Sequence, residues 1–233
     1  MNTKLRFSGL TGNQLKLLAL VLMTIDHIGA YLLPQYTLLR CIGRLAMPIF
    51  AWMIAEGCRY TRNRPRYLLS LLAGGILCQA VAYGFIRSLD MCILITFSLS
   101  VLLIYAADYA GKKKSFLSLC VMGAAFVLCF VLCILLPGRI SGFRVDYGLA
   151  GVLLPMFIYC GTTKEQKLLL CAGGLALLAM TSPSIQWLGL LSVPLLALYN
   201  GKRGKAPLKS LFYIYYPAHL AVIYLIGWLL SRR

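Results

Sequence analysis

Acidic side chains are scarce in this chain, which has 6 Asp and Glu residues against 23 Lys and Arg residues in a length of 233. Charged residues of both signs make up only 12% of the sequence, whereas a soluble domain has about 25%. Hydrophobic residues make up 61%, and the mean hydropathy is +0.82. This balance excludes a water-soluble globular domain and predicts a polytopic membrane protein.

Long polar stretches are also lacking, which leaves no room for a separate soluble domain. A helix needs about 20 mostly apolar residues to cross about 30 Å of hydrocarbon. Charged gaps and gaps with Pro or Gly divide the chain into nine apolar runs, at residues 13–33, 38–58, 67–87, 91–110, 115–136, 147–160, 166–181, 184–200 and 208–230. We predict an all-α polytopic transmembrane helix bundle with about nine spans (eight to ten), forming a single integral membrane domain over residues 1–233. The sixth and seventh runs are short, so a tilted, re-entrant or broken helix stays open for each.

The basic residues are distributed unevenly between alternate gaps. One set of gaps holds fifteen Lys and Arg residues and the other set holds six, while Lys16 and Arg44 lie inside apolar runs. Cytoplasmic gaps carry the excess of basic residues, so the N-terminus is predicted to be cytoplasmic in a multi-pass protein of the cytoplasmic (inner) membrane. Because the net charge of +17 comes mostly from these short gaps, no nucleic-acid partner is predicted.

The nine cysteines show no CxxC motif and no Cys/His spacing typical of a metal site. Most of them lie within apolar runs, where a thiol behaves as a small packing side chain. The sequence therefore predicts packing cysteines and no metal.

The first apolar run contains three ionisable residues, Lys16, Asp26 and His27. A charge at membrane depth is unfavourable by roughly 2.5–3.5 kcal/mol on insertion scales, so such residues usually face a cavity and have a function. Lys16 and His27 are eleven residues apart, about three helical turns and roughly 16 Å of rise, on nearly the same face. They are expected to line one stripe of the helix.

Asp26 is expected to pair with a cation on another helix, and Arg44 in the second run is the obvious candidate. Pro48 removes the backbone hydrogen bond to the Arg44 carbonyl, which favours a polar notch beside the guanidinium. The alternative is an ion pair that serves packing alone.

A cluster of polar residues follows the inner end of the second run. Arginines bind phosphate groups through a bidentate fork, so this cluster is a candidate site for a phosphate-bearing cofactor from the cytoplasm. The alternative is charge that only orients the protein. The cluster comprises Glu56, Arg59, Arg62, Asn63 and Arg64.

The last run carries Tyr213, Tyr216 and His219 around Pro217. Pro217 opens the helical hydrogen-bond ladder and makes room for a ligand or side chain. Tyr213 fits an interfacial aromatic belt, whereas His219 is deeper and is either a buried strut or a site residue.

Four other polar residues are candidates for substrate binding. Asp146 either caps the sixth run or receives a cationic acceptor group, and Tyr147 follows it directly. Gln79 and Thr96 either line a cavity or form hydrogen bonds between helices.

Four segments resemble the TraX family of membrane proteins, within the broader acyltransferase-3-like group. They read LKLLALVLMTIDHIGAYLL, LLRCIGRLAMPIFAWMIAEGCRYTRNRPRYLL, DYGLAGVLL and FYIYYPAHL, in this order. The wider group shows a basic residue, ten intervening positions and a histidine on its first helix. Lys16 and His27 match that pattern.

The resemblance implies acetyl transfer from acetyl-CoA across the membrane, and TraX itself is associated with N-terminal acetylation of conjugative pilin. The scheme expected here places the CoA phosphates near the basic cluster and Lys16, and its thioester at His27. His27 would then serve as general base, Asp26 would support it or pair with Arg44, and His219 or Tyr216 would polarise the carbonyl. Direct transfer is favoured, and an acetyl-histidine relay stays open.

The expected partners are acetyl-CoA, membrane lipids and an acceptor protein, glycan or lipid with an amine or hydroxyl group. An alternative function is a proton-coupled secondary transporter that uses Asp26, Glu56 and His27 as a proton relay. Carriers usually show internal repeats, and none is visible in this sequence.

Overall fold

The computed structural model describes residues 9–182, 184–205, 209–230 and 232, without the side chains of residues 209, 210, 212 and 213. About 78% of these described residues are helical. The count of basic residues in the gaps includes Lys4, Arg6 and Arg233, which lie outside the described residues. The side chains of Lys209, from the same count, and of Tyr213, the predicted interfacial residue, lie outside them too.

Ten α-helices and two short strands follow one another along the part of the chain that the structure describes. The helices are α1 (Gly12–Tyr31), α2 (Thr37–Gly43), α3 (Ala46–Tyr60), α4 (Arg64–Ile86), α5 (Ile93–Lys113), α6 (Phe116–Phe130), α7 (Gly148–Cys160), α8 (Lys164–Met180), α9 (Ser192–Ala197) and α10 (Lys209–Leu230). A π-helix, Val131–Leu135, extends α6, and a 3-10 helix, Ser184–Leu191, precedes α9. The strands β1 (Leu89–Met91) and β2 (Phe143–Val145) pair in parallel.

The second and eighth apolar runs were each predicted to be one helix, and the structure divides both of them. The second run breaks after Gly43 into α2 and α3, with Pro48 in the first turn of α3, where the missing amide donor is tolerated. The eighth run is a 3-10 helix followed by the six residues of α9. Apolar composition predicted both segments as helical. The break lies one turn before Pro48, which has no N–H for the helical hydrogen bond to the Arg44 carbonyl.

Within the described residues, four helical segments are long and apolar enough to cross a membrane: Thr37–Tyr60, Arg64–Ile86, Ile93–Lys113 and Phe116–Leu135. The segment that contains α6 exposes many large apolar side chains, and Phe116 is 85% exposed. Lipid tails accept such a surface, while the helix satisfies its own backbone groups. The chain is therefore an all-α, multi-pass membrane protein.

The α3 helix lies in the centre and packs against α1, α5, α7 and α8. It contributes Ile49 and Trp52 to the main core, and both are almost completely buried. The turns at one end of the bundle include residues 61–63 and 161–163, and we call this end the basic end. The turns at the opposite end include 32–36, 87–92 and 136–147, and we call it the cavity end.

Candidate functional site

A cavity of about 820 Å³ opens between the helices at the cavity end. Its wall is mixed, with apolar side chains from α1, α3, α4 and α7 and a group of polar side chains. The polar lining consists of Asp26, His27, Tyr31, Arg40, Arg44, Ser88, Asp90, Arg144, Asp146, Tyr147, Thr181, Ser182, Gln186, Tyr216 and Tyr224.

The two histidines of the chain meet in this region. His27 Nδ1 lies 2.8 Å from His219 Nε2, and His219 Nδ1 lies 3.0 Å from the backbone carbonyl oxygen of Tyr215. The Tyr216 ring stands edge-on to both imidazoles, with centroid distances of 6.2 Å to His27 and 5.3 Å to His219. A 2.7 Å hydrogen bond between the Thr24 and Tyr215 hydroxyls holds α10 against α1 beside the pair.

These contacts fix the tautomers of the two neutral imidazoles. The Tyr215 carbonyl only accepts, so His219 Nδ1 must carry the hydrogen and its Nε2 must accept. His27 Nδ1 is then the donor to His219, which leaves the lone pair on His27 Nε2. His27 thus has the form that a general base needs, on a side chain that lines the cavity.

Of the two roles that the sequence left open for His219, the same arrangement favours the buried strut. Both of its ring nitrogens are engaged, one as donor to Tyr215 and one as acceptor from His27. A neutral His219 therefore has no N–H left to polarise a carbonyl. Its contacts hold His27 in place. Tyr216, the other candidate for polarising the carbonyl, lines the cavity.

Asp26 forms the predicted ion pair with Arg44 and a second one with Arg40. Arg44 Nη2 donates to both carboxylate oxygens of Asp26, at 2.6 and 2.8 Å, and Arg40 Nη1 donates to Oδ2 at 2.5 Å. Arg40 also donates to the Asp26 backbone carbonyl at 3.1 Å. A buried carboxylate is thereby bound by two guanidinium groups, which fixes the start of the α2–α3 segment against α1.

We counted Arg40 among the basic residues of the outer gaps, which orient the protein in the membrane. Its ion pair with Asp26 was not predicted. The signal was present in the sequence, because Arg40 and Arg44 are four residues apart and share a helix face. Gln186 was missed as well. Its Oε1 accepts a 3.2 Å hydrogen bond from Arg44 Nη1, across 142 positions of sequence that no spacing argument links.

Asp146 and Tyr147 line the cavity, as their substrate-binding assignment requires, whereas Gln79 and Thr96 lie outside its lining. Thr96 Oγ1 donates to the Asp146 backbone carbonyl at 2.8 Å and so positions this segment. Gln79 Nε2 donates to the Ser88 carbonyl at 2.9 Å. Both fit the alternative that the sequence left open, a hydrogen bond that holds the structure.

The Asp146 carboxyl is exposed to the cavity yet surrounded by protein. Loss of bulk solvation raises its pKa to about 6, and this effect exceeds the opposite influence of Arg44. Asp26 also raises the pKa, whereas Arg144 lowers it. The native state therefore favours the protonated carboxyl more than the unfolded chain does, so stability falls as the pH rises from about 3.8 to about 6.

The Asp146→Asn variant is expected to be as stable as the wild type near pH 4 and more stable at pH 7.5. The asparagine mimics the protonated form, so the difference grows as the pH rises from about 3.8 to about 6 and stays constant above that. Exposure to the cavity limits the gain to about 1 kcal/mol, or roughly 2–4 °C in Tm. Melting curves from pH 4 to 8 measure it, and a difference independent of pH would contradict the raised pKa.

The basic end holds a second set of polar contacts. Glu56 pairs with Lys167 Nζ at 2.6 Å, and the Tyr199 hydroxyl lies 3.5 Å from its other oxygen. Arg64 Nη2 donates to Asp108 at 2.5 Å. These contacts link helices that are distant in sequence.

Arg59, Arg62 and Asn63 complete the predicted cofactor cluster. Arg59 Nη2 donates to the carbonyls of Tyr159 and Gly161, at 2.6 and 2.9 Å. Asn63 Oδ1 accepts from a backbone amide in the first turn of α4 and caps that helix. The Arg62 side chain is exposed.

The predicted cofactor residues and the predicted catalytic residues lie in different places. The cavity lining includes His27 but not Lys16 or any of the residues Glu56, Arg59, Arg62, Asn63 and Arg64. Buried side chains such as Leu20, on the helix stripe that joins Lys16 to His27, lie between the two groups. The proton relay of the alternative function is also divided, because Asp26 pairs with arginines at one end and Glu56 with Lys167 at the other.

The fold and the site together define a multi-pass membrane protein with an ion-paired, histidine-bearing cavity near one end of its helix bundle. The profile described as TraX protein matches residues 11–227, so the chain belongs to the TraX family, and the resemblance of the four segments is confirmed.

Two relatives show how widely this sequence pattern extends. The chain is 28% identical to "Probable fimbrial assembly protein FimC, serogroup H1" of Dichelobacter nodosus, over 90% of this chain and 93% of that protein. It is 31% identical to an uncharacterized protein of Rickettsia prowazekii (strain Madrid E), over 67% of this chain and 58% of that protein. No solved structure matches the chain significantly.

Proposed function

We propose that this protein is a membrane-embedded acetyltransferase that transfers an acetyl group from cytoplasmic acetyl-CoA to an amine or hydroxyl acceptor at or beyond the outer membrane face. The observation that carries this proposal is the hydrogen-bonded series from the Tyr215 carbonyl through His219 to His27. With both imidazoles neutral, this series leaves the lone pair on His27 Nε2, and the His27 side chain lines a cavity large enough for a small substrate group. A general base needs this protonation state and this access to substrate.

In the proposed reaction, His27 Nε2 takes the proton from the acceptor N–H or O–H. The acceptor nitrogen or oxygen forms a bond to the thioester carbonyl carbon, the C–S bond breaks, and CoA leaves as a thiolate. The proton held by His27 then passes to the thiolate, which gives CoA and the acetylated acceptor. Asp26 lies next to His27 in α1, and its two arginine partners hold this part of the helix in place.

The proposed orientation places nine spans in the cytoplasmic membrane, with the N-terminus and the basic end inside and the cavity end outside. The excess of fifteen over six basic residues supports this orientation. The acceptor then enters the cavity from outside, while acetyl-CoA approaches from the basic end.

At the basic end, the exposed Arg62 is the predicted arginine best placed for CoA phosphates, whereas Arg59 and Arg64 hold the surrounding loops by contacts within the protein. The pantetheine arm would pass along the α1 stripe from Lys16 past Leu20 and Met23 to His27, a rise of about 16 Å. Met23 already lines the cavity, and Leu20 would be displaced when the arm enters.

The acceptor proposed is a pilin-like protein N-terminus or an envelope glycan. The name of the Dichelobacter nodosus relative, a probable fimbrial assembly protein, supports the first. The ionised form of Asp146 offers a partner for a cationic amine inside the cavity.

Acetyl-CoA is expected to raise the Tm of the purified protein in a saturable manner, and the Arg62→Gln variant is expected to bind it about tenfold more weakly. The physical reason is the loss of a guanidinium that forks onto phosphate. Thermal melts over a series of acetyl-CoA concentrations measure both effects. The wild type is also expected to release free CoA when a peptide or glycan acceptor is added.

Lys113→Gln is the matched control, since it removes one exposed positive charge from another turn at the basic end. Equal weakening by both variants would assign the effect to general electrostatics and not to a phosphate site. A wild type that is neither stabilised by acetyl-CoA nor active with it would refute the proposed function.

A further inference from the structure

Gln186 lies in the cavity wall and has a buried side-chain N–H donor without a partner in the described part of the chain. The residue lies in the 3-10 helix Ser184–Leu191, is 4% exposed and lines the cavity. Its Oε1 accepts from Arg44, whereas its Nε2 has no hydrogen-bond partner among the residues that the structure describes. Buried polar groups almost always have a partner, so this amide nitrogen needs an explanation.

Arg44 determines which end of the amide is left over. A guanidinium has five N–H donors and no acceptor, so it can only meet the oxygen of Gln186. The five donors of Arg44 have five acceptors: the Arg40 carbonyl at 3.3 Å, Gln186 Oε1 at 3.2 Å, the Tyr147 hydroxyl at 3.5 Å and the two carboxylate oxygens of Asp26. The amide cannot flip without losing the Arg44 contact, and the NH₂ end therefore remains the donor without a partner.

The charges around the cavity indicate what this donor binds. The described lining residues include three cations and three anions, which are Arg40, Arg44, Arg144, Asp26, Asp90 and Asp146. All three arginines are ion-paired, with Asp26 or Asp90. A highly charged anion such as a polyphosphate gains little in a balanced site, so the unused N–H fits a neutral carbonyl oxygen.

Resting on the proposed acetyltransferase function, we propose that Gln186 Nε2 donates a hydrogen bond to the carbonyl oxygen of the acetyl group during transfer. When the acceptor forms its bond to the carbonyl carbon, electrons move onto this oxygen, and they return when the C–S bond to CoA breaks. A donor that the contact with Arg44 holds in place stabilises that developing charge. Gln186 thereby takes the part that His219, with both nitrogens engaged, is unable to fill.

Two variants separate a role toward substrate from a role toward Arg44. Gln186→Glu keeps an oxygen for Arg44 and removes the N–H donor, whereas Gln186→Met removes both at similar volume. Both variants are expected to lower kcat about 10²–10³-fold, the usual effect of deleting one such donor. Acetyl-CoA affinity, measured by saturable thermal stabilisation, is expected to stay within about twofold, because the contact strengthens only in the transition state.

If Gln186→Glu keeps wild-type kcat while Gln186→Met is impaired, the amide serves only to hold Arg44 and the inference is overturned. Wild-type kcat in both variants overturns it as well, while the proposed function stands. A wild-type protein that neither binds acetyl-CoA nor transfers acetyl refutes the proposed function itself, and the inference with it.

Discussion

Replacing His27 by glutamine is expected to lower acetyl transfer about 10²–10⁴-fold while the protein still inserts and folds. The glutamine amide retains an N–H that can donate to His219 Nε2, but it offers no basic nitrogen, so only proton abstraction is lost. CoA release and acceptor acetylation, followed in parallel by mass spectrometry, measure the effect. Wild-type turnover in a well-folded His27→Gln protein would remove His27 from the mechanism.

Two further variants test whether the histidine pair acts as one unit. His219→Leu is expected to lower kcat at least about tenfold with an unchanged KM for acetyl-CoA, because it removes the group that fixes the tautomer of His27. Combined with His27→Gln, it is expected to add little further loss, since the base is already gone. Arg139→Gln, an exposed change at the same end of the bundle, is the control and is expected to keep normal activity.

Replacing Arg44 by methionine is expected to destabilise the protein by about 3–5 kcal/mol, the range for one partner removed from a buried ion pair. The Arg44 and Asp26 side chains are 10% and 12% exposed, so the lost charge is poorly compensated by solvent. The change also deprives Gln186 and Tyr147 of a donor. A fall in Tm of about 6–20 °C is expected from this loss.

The pair Asp90 and Arg144 is the matched control for this experiment. It joins the same residue types at the rim of the same cavity, but its side chains are 50% and 73% exposed. Arg144→Gln is therefore expected to cost no more than about 1 kcal/mol. Adding Asp26→Asn to Arg44→Met is expected to recover part of the loss, because no uncompensated carboxylate then remains. Equal melting shifts for the Arg44 and Arg144 variants would show that burial does not strengthen the inner pair.

The class of protein follows from the amino-acid sequence alone. Apolar runs of membrane-spanning length, separated by short gaps with basic residues, leave only helices in lipid, because every backbone polar group must be satisfied within its own segment. The pairing of Asp26 with Arg44 was predictable for a similar reason, since a carboxylate at membrane depth requires a cation and few were available. The family resemblance also followed from local strings of residues, which the match over residues 11–227 confirms.

The side-chain contacts between distant helices became visible only in the folded structure. The contact between His27 and His219 spans 192 positions, and its tautomer depends on a carbonyl four residues before His219. Gln186 lines the cavity from a 3-10 helix that the sequence predicted as an ordinary apolar run. Glu56 forms an ion pair with Lys167, and Arg64 forms one with Asp108. Both pairs lie at the basic end, away from the cavity. Spacing along one helix fixes which side chains share a face. Which helices pack together depends on the apolar surface buried by the whole bundle. No single segment of sequence contains that information.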